Sequence, residues 1–378
     1  MKEIRMVDLK SQYENIKTEI DKAVIDVISS SAFINGPEVK VFEKNFKQYL
    51  KVKNVIPCAN GTDSLQIAIM ALGLKPGDQI ITSSFTFVSA VEVIKLLGLT
   101  PVLVDIDPDT FNISPKTIEK AITSKTKAIV PVHIFGQCAD MEKIMNIAKK
   151  YNLFVIEDAC QAISADFIFK DGTRKKAGTI GDIGCVSFFP SKNLGAYGDG
   201  GAIFTDNDQL AEKMRIITNH GMRTKYYYDT IGVNSRLDSI QAAILKIKLK
   251  YLDNYTKARN NAADFYDKAL ANNPKIKIPF RALYSTHAFH QYTITLSDDT
   301  DHFKLQEYLK SKEIPSMIYY PVPLHLQKAY SNLNYKKGDL PVTEKICDSV
   351  ISLPIHTELN NKQLKYITTN ILEFLRHN

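Results

Sequence analysis

The sequence has no apolar run long enough to span a membrane, and its first residues, MKEIRMVDLK, contain no apolar core of the kind found in secretion signals. It also lacks any block of five or six like charges. The formal net charge of +7, which is 48 basic minus 41 acidic residues, is spread along the chain. These absences predict a cytoplasmic protein with no membrane partner.

Cysteine chemistry is sparse as well. The cysteines are odd in number, form no C-x-x-C pair and lie mostly in strand-like apolar runs: Cys58, Cys138, Cys160, Cys185 and Cys347. We expect reduced, buried thiols and no metal site. Zinc-ligand spacing, a basic helix and known nucleic-acid motifs are missing too. The densest basic patch, KDGTRKK at 170–176, is typical of a solvated loop, so nucleic acid is not an expected partner.

What the chain does have is an alternation of apolar strands and helices. Of its 378 residues, 44% are hydrophobic and 24% are charged, which is an ordinary globular composition. Two helical segments come first, and from position 54 strand, turn and helix repeat, as in PVLVDID and AIVPVHIFG. The pattern predicts an α/β fold with a large, mostly parallel sheet covered on both faces. Ligands should bind at the carboxyl ends of its strands.

The pattern changes in the last third of the chain. A helix of about 35 residues is predicted from Leu237 to Ala271 by its apolar spacing. Fewer strands follow (HQYTITL, IPSMIYY and VISLPI), with helices expected at 301–311 and 360–376. We therefore predict a large domain at 1–250, which includes an N-terminal helical arm. A small α+β domain at 251–378 should follow, led by the long connecting helix.

One lysine stands out from its setting. The residues Val186 to Phe189 read as a buried strand that Pro190 ends, and Lys192 follows in the next loop. The glycine-rich sequence GDGG at 198–201 predicts a tight turn before a second strand. A lysine held between such elements loses water, and a desolvated lysine has a lowered pKa that suits a nucleophile or a Schiff-base former.

Two other stretches carry possible chemistry. The turn ANGTD at 59–63 lies between a strand and a helix, where it could bind an anion or simply cap the helix through Thr62 or Asp63. Asp158 ends the apolar strand of FVIEDACQA, and a carboxylate there needs either a partner or a helix to cap. Phe87, at another strand-to-helix turn, could be a core residue or a ring platform. His133, on an apolar strand, favours a structural role.

The lysine stretch, SFFPSKNLGAYGDGGAIFTD, resembles the lysine segment of the DegT/StrS-type nucleotide-sugar aminotransferases, which use pyridoxal 5'-phosphate (PLP). Other matching motifs run from about Asp8 to Pro354, so the resemblance covers nearly the whole chain. It implies the PLP-dependent transferase type I fold, similar to that of aspartate aminotransferase. It also implies a transaminase that forms a homodimer.

The resemblance assigns roles to individual residues. Lys192 and Asp158 are the implied catalytic pair: Lys192 links covalently to PLP, and Asp158 pairs with the ring nitrogen and keeps it protonated. The implied cofactor-binding residues are Gly61, Thr62, Asp63, Phe87, Gln161, Ser187 and, from across the dimer interface, Asn234. The candidates for substrate binding are Arg236, Tyr319 and Tyr320. Arg236 could equally stabilise its turn, and the family usually has histidine where this chain has Tyr319, which weakens the transfer of substrate contacts.

The substrate is less sharply implied. The motifs CANGTDSLQ, FGQCADME and YPVPLH look closest to the UDP-2-acetamido-2-deoxy-3-oxo-glucuronate aminotransferases of lipopolysaccharide and O-antigen pathways, with L-glutamate as amino donor. Transaminases of dTDP-3-oxo or UDP-4-oxo-6-deoxy sugars are the alternative. A dehydratase of the same fold usually has histidine in place of Lys192. A regulatory protein that keeps PLP without turnover is the remaining class, although every chemical position is occupied here.

Overall fold

The computed structural model describes residues 3–377. Its helices are α1 (Leu9–Ser30), α2 (Pro37–Leu50), α3 (Gly61–Leu72), α4 (Ser89–Leu96), α5 (Pro115–Ala121), α6 (Met141–Tyr151), α7 (Asp208–Thr218), α8 (Ser239–Leu270), α9 (His302–Ser311), α10 (Pro341–Cys347) and α11 (Asn361–His377). Its strands are β1 (Asn54–Cys58), β2 (Gln79–Ser83), β3 (Thr100–Val104), β4 (Thr126–Val130), β5 (Phe154–Asp158), β6 (Asp166–Ile168), β7 (Arg174–Lys176), β8 (Ile183–Ser187), β9 (Gly201–Thr205), β10 (Met222–Thr224), β11 (Tyr227–Tyr228), β12 (Ile276–Lys277), β13 (Tyr292–Leu296) and β14 (Val350–Leu353).

A seven-stranded sheet dominates the structure, with strand order β1-β9-β8-β5-β4-β2-β3. The five strands from β8 to β3 pair in parallel, and β9 runs antiparallel to both of its neighbours. Buried apolar clusters cover both faces of the sheet. This confirms the predicted α/β fold with a mostly parallel sheet, and it brings the carboxyl ends of β2, β4, β5 and β8 to one edge.

A second, smaller core forms around the antiparallel sheet β12-β13-β14 with α9 and α11. The segment IPSMIYY does not add a strand, contrary to expectation. Only Met317 pairs with Ser352, through a reciprocal pair of backbone hydrogen bonds of 3.1 and 2.7 Å. Pro315 has no N–H to extend that pairing, and the residues after Met317 turn toward a cavity.

The long helix α8 belongs to both cores. Its first half packs Leu245 and Leu252 into the core of the large sheet, and its second half packs Ala263 and Tyr266 into the smaller core. It spans 32 residues, three fewer than the stretch predicted from apolar spacing. The predicted division at residues 250 and 251 would fall inside this helix, and it stays a prediction.

Among residues 3–377, no helix combines the length and apolar content that crossing a bilayer requires. The five cysteines are unpaired thiols, four of them buried and Cys160 partly exposed.

Candidate active site

A cavity of about 430 Å³ opens at the carboxyl edge of the large sheet, a volume typical of small-molecule sites. Nine of the twelve predicted site residues line it: Gly61, Thr62, Phe87, Asp158, Gln161, Ser187, Lys192, Tyr319 and Tyr320. The three that do not are Asp63, Asn234 and Arg236. The structure therefore brings together side chains that lie up to about 260 positions apart in sequence.

Lys192 is presented to the cavity by a tightly bonded loop. Strand β8 ends at Ser187, two residues earlier than expected, and Phe189 is already half exposed. The N–H of Ala196 then bonds to the carbonyl of Phe188 at 2.7 Å, and the N–H of Lys192 bonds to the carbonyl of Phe189 at 2.8 Å. These bonds close the loop on itself and fix the backbone of Lys192 at the cavity wall.

The glycines at 198–201 work differently from the prediction. None of Gly198, Gly200 and Gly201 has a positive φ, so a left-handed turn does not explain them. Close approach does: a Cβ on Gly201 would lie 2.4 Å from the carbonyl oxygen of Asn60. Glycine there lets β9 pack directly against the turn before α3.

The turn at the start of α3 forms an anion cradle. The N-cap is Asn60, not Thr62 or Asp63 as we considered, because its Oδ1 accepts a 2.8 Å bond from the N–H of Asp63. The N–H groups of Gly61 and Thr62 lie in the first turn and cannot bond within the helix.

Neighbouring groups complete this cradle. A Cβ on Gly61 would meet Ser187 at 2.6 Å, so only glycine lets the turn come this close to β8. The Ser187 Oγ accepts a 3.2 Å bond from the N–H of Phe189, which leaves its hydroxyl proton to donate elsewhere. The cradle therefore offers two backbone N–H groups, the dipole of α3 and one hydroxyl to an anion.

The strand end that carries Asp158 is fixed by a buried cluster around its neighbour Glu157, which we did not predict from the sequence. The carboxylate of Glu157, fully buried, accepts bonds from the N–H groups of Gly178, Ile180 and Gly181 at 2.5–3.0 Å. It also pairs with Nε2 of His133 at 2.8 Å. His133 Nδ1 accepts a 3.1 Å bond from the N–H of Ala139, so the ring proton resides on Nε2. These two contacts fix one tautomer of His133 and are consistent with the structural role expected for it.

The backbone of Asp158 is fixed by the same strand end. Its N–H bonds to the carbonyl of Pro131 at 2.9 Å, and its carbonyl accepts from the N–H of His133 at 3.0 Å. The residue Asp158 is only 5% exposed. Its carboxylate accepts a bond from the N–H of Cys160 and faces the cavity. Burial, followed by the charge of Asp158, raises the pKa of the Cys160 thiol well above its ordinary value.

Gln161 and Tyr320 share a wall of the cavity. The N–H of Phe135 bonds to Oε1 of Gln161 at 2.7 Å, which fixes the amide so that Nε2 donates to the hydroxyl of Tyr320 at 3.3 Å. Burial raises the pKa of Tyr320, so the hydroxyl stays protonated. Its ring packs edge-on against buried Phe85.

The loop that carries Tyr319 and Tyr320 is anchored by a second histidine. Ser84 Oγ lies 2.8 Å from Nδ1 of His325. The same oxygen accepts a 3.1 Å bond from the backbone N–H of His325. His325 Nε2 lies 3.0 Å from Glu344. Ser84 follows β2, and Phe87 three residues later is 56% exposed on the cavity wall. The position of Phe87 suits a ring platform better than a core residue.

The three predicted residues outside the cavity have separate explanations. Asp63 sits in the first turn of α3, where its charge complements the helix dipole. Asn234 is exposed and Arg236 is half buried. The residue between them, Ser235, anchors this segment by accepting a 3.0 Å bond from the N–H of Ala59. Within one subunit, neither Asn234 nor Arg236 reaches the cavity wall.

Several lining residues were not singled out from the sequence: Asn60, Thr86, Ser89, Cys160, Ser191, Asp199, His290 and Gln291. Asn60 could have been found, since asparagine before a helix is a preferred N-cap. The charge of Glu157 inside an apolar strand was a signal too. His290 and Gln291 precede β13 of the other sheet, and no local pattern places them here.

The site fits PLP on its own chemistry. The buried carboxylate of Asp158 faces the cavity and needs a cationic partner, as the nitrogen of a protonated pyridine ring would be. The cradle at Gly61 and Ser187 suits a phosphate, Lys192 supplies the amine, and exposed Phe87 offers a ring to stack on. Among residues 3–377, no group of three or more His, Cys, Asp or Glu side chains could hold a metal ion. Fold and site together define a PLP-dependent transaminase.

The chain belongs to the DegT/DnrJ/EryC1/StrS aminotransferase family, whose model matches residues 14–372. It is 46% identical, over 99% of both chains, to the pleiotropic regulatory protein of Geobacillus stearothermophilus. It is 43% identical to the UDP-2-acetamido-2-deoxy-3-oxo-D-glucuronate aminotransferase of Pseudomonas aeruginosa, over 96% of this chain and 98% of that protein. The crystal structure of S. venezuelae DesV in complex with a ketimine intermediate superimposes with a TM-score of 0.94, at 35% identity over 99% of both chains.

These findings confirm the family, the type I fold, the PLP cofactor and the enzyme class expected from the sequence. The chain is a PLP-dependent nucleotide-sugar aminotransferase.

The Glu157 cluster yields a direct prediction. Replacing Glu157→Gln puts an amide N–H₂ among N–H donors, so we expect the free energy of unfolding to fall by about 1–3 kcal/mol, measured by urea denaturation of the apoprotein. Glu373→Gln, at an exposed position of α11, is the matched control and should change it by less than about 0.5 kcal/mol. Equal effects of the two substitutions would contradict the role given to Glu157.

Proposed function

We propose that this enzyme transfers the amino group of L-glutamate to the 3-oxo carbon of a UDP-linked 2-acetamido-hexuronate for surface-polysaccharide synthesis. The observation that supports it is the single cavity lined by Lys192, Asp158 and the anion cradle. The 43% identity to the P. aeruginosa enzyme favours the 3-oxo-glucuronate class. Transaminases of dTDP-3-oxo or UDP-4-oxo-6-deoxy sugars remain the alternative, because Tyr319 departs from the family pattern. The cytoplasmic location stays a prediction.

Each residue then has a defined task. When bound, PLP supplies an amino-group carrier and an electron-withdrawing ring. Asp158 would keep the ring nitrogen protonated, and the cradle of Gly61, Thr62 and Ser187 would hold the phosphate. The freed amine of Lys192 takes the proton from the α-carbon of glutamate and later donates one to the sugar carbon that becomes aminated.

The cavity also constrains the kinetics. Donor and acceptor react beside the same lysine in turn, so steady-state kinetics should be ping-pong.

A homodimer completes the proposed site. Asn234 is exposed and does not reach its own cavity, which is the arrangement expected of a residue that binds the phosphate in a neighbouring subunit. The hairpin β10–β11 and the residues after it expose large side chains just before Asn234: Tyr226, Tyr227, Tyr228 and Ile231 are 64–83% exposed. A cluster of this kind beside a functional segment supports a subunit interface there.

The first test of this function follows the bound cofactor. L-Glutamate should bleach the visible absorbance of the purified holoenzyme, and a 3-oxo-hexuronate linked to UDP should restore it. UDP- and dTDP-linked ketosugars without the carboxylate should restore it more slowly. Lys192→Ala should lower the rate about 100- to 10,000-fold because the proton-transferring amine is lost. Lys170→Ala, whose side chain is 82% exposed, is the control and should behave as the wild type.

The outcomes separate the alternatives. Restoration by a dTDP- or UDP-4-oxo sugar alone would replace the proposed substrate, and no bleaching by glutamate would refute the proposed donor.

A complementation experiment tests the role of Asn234. Lys192→Ala and Asn234→Ala subunits, each inactive or weak alone, are co-expressed with different affinity tags, and the mixed dimers are purified. If Asn234 acts across the interface, each mixed dimer contains one site with both native residues, and activity returns. Mixed dimers no more active than the two parent variants would place Asn234 in its own subunit's site.

A further inference from the structure

His290 lies at the cavity without a role in the chemistry described above. His290 and Gln291, which come just before β13, both line the cavity together with Lys192. The residue is only 8% exposed, so the ring is largely enclosed by protein and the open part faces the cavity.

The backbone around His290 is held firmly. Asn193, the neighbour of Lys192, donates to the carbonyl of Ala288 at 2.8 Å. The buried guanidinium of Arg259 on α8 donates from Nη1 to the carbonyls of Phe289 and His290 at 3.0 and 3.3 Å. The lysine loop and the histidine segment are therefore fixed to each other and to the same helix.

The imidazole itself is held neutral. Burial lowers its pKa well below the ordinary value, and the charges of Lys192 and Arg259 lower it further. A neutral imidazole carries one N–H and one lone pair. Nδ1 is sealed from solvent and has no hydrogen-bond partner among residues 3–377. A buried unpaired N–H is the rarer arrangement in proteins, so the proton belongs on Nε2, the nitrogen through which the ring can reach the cavity.

We propose that His290 is a neutral hydrogen-bond donor of the active site, whose Nε2–H binds an oxygen of the substrate held beside Lys192. The inference rests on the proposed transaminase reaction and adds a residue to it. A neutral donor polarises an oxygen without adding a second positive charge next to the amine that must accept protons. The oxygen belongs either to the carboxylate of the amino donor or to the ketosugar, and the test has one arm for each.

The test compares two substitutions. His290→Gln keeps a neutral N–H donor, whereas His290→Phe keeps the ring volume and removes the donor. Calorimetry on the holoenzyme measures the dissociation constants of 2-oxoglutarate and of the aminated nucleotide sugar. For one of these ligands we expect binding to weaken about 10- to 100-fold in His290→Phe and less than about tenfold in His290→Gln. Weaker 2-oxoglutarate binding assigns the donor carboxylate, and weaker sugar binding assigns the ketosugar.

Two controls keep the result interpretable. His302→Phe replaces another buried histidine, in α9 and outside the cavity, and should leave both dissociation constants unchanged. Visible absorbance and thermal melts of each variant report whether the fold and the cofactor are retained. If His290→Phe does not fold, the His290→Gln variant and the pH profile below decide.

The binding comparison separates a donor from a merely structural histidine, and the pH profile tests whether His290 is neutral. A permanently neutral His290 contributes no ionisation, so kcat/KM of the wild type and of His290→Gln should depend on pH in the same way. Loss of a pKa near 6–7 in the variant would overturn the proposal, as would unchanged binding of both ligands in His290→Phe. Absence of any reaction of the wild type with glutamate would instead refute the donor in the proposed function.

Discussion

The structure depends on one buried carboxylate, Asp158, which faces a cavity lined also by the amine of Lys192. A carboxylate that has lost water must be compensated, and within one subunit the backbone N–H of Cys160 donates one bond to it. The missing compensation is what a protonated pyridine ring provides. The same charge that would destabilise an empty site therefore selects the cofactor and sets its electronic state.

Many of the buried polar groups of the protein fix the elements that surround this site. Glu157 and His133 fix the end of β5 from the opposite side, and Arg259 on α8 fixes the segment before β13. Gln241 on the same helix accepts a 2.9 Å bond from the N–H of Tyr197 in the segment after Lys192. Because α8 packs into both cores, it connects the large sheet, whose strand β8 leads into the lysine loop, with the smaller sheet, whose strand β13 follows His290.

The sequence predicted those features that depend on local pattern. Apolar strands alternating with helices gave the parallel sheet, and the motif around Lys192 led to the family. Reasoning from the sequence misplaced the features that depend on tertiary packing. Glycine at 201 is needed for close contact with Asn60 and not for a left-handed turn, and IPSMIYY forms no strand. His290 lies about 100 positions from Lys192, in the segment before a strand of the other sheet, so no spacing rule could place it at the cavity.

Substituting Asp158→Asn tests the central claim most directly, because it removes the charge and keeps the shape. The measurement is the single-turnover rate at which L-glutamate bleaches the visible absorbance of the holoenzyme. If Asp158 maintains the protonated ring, that rate falls about 100- to 1,000-fold while the thermal melt stays close to that of the wild type. A rate within about threefold of the wild type, well below the loss expected for a group that stabilises the reacting charge, would contradict the account.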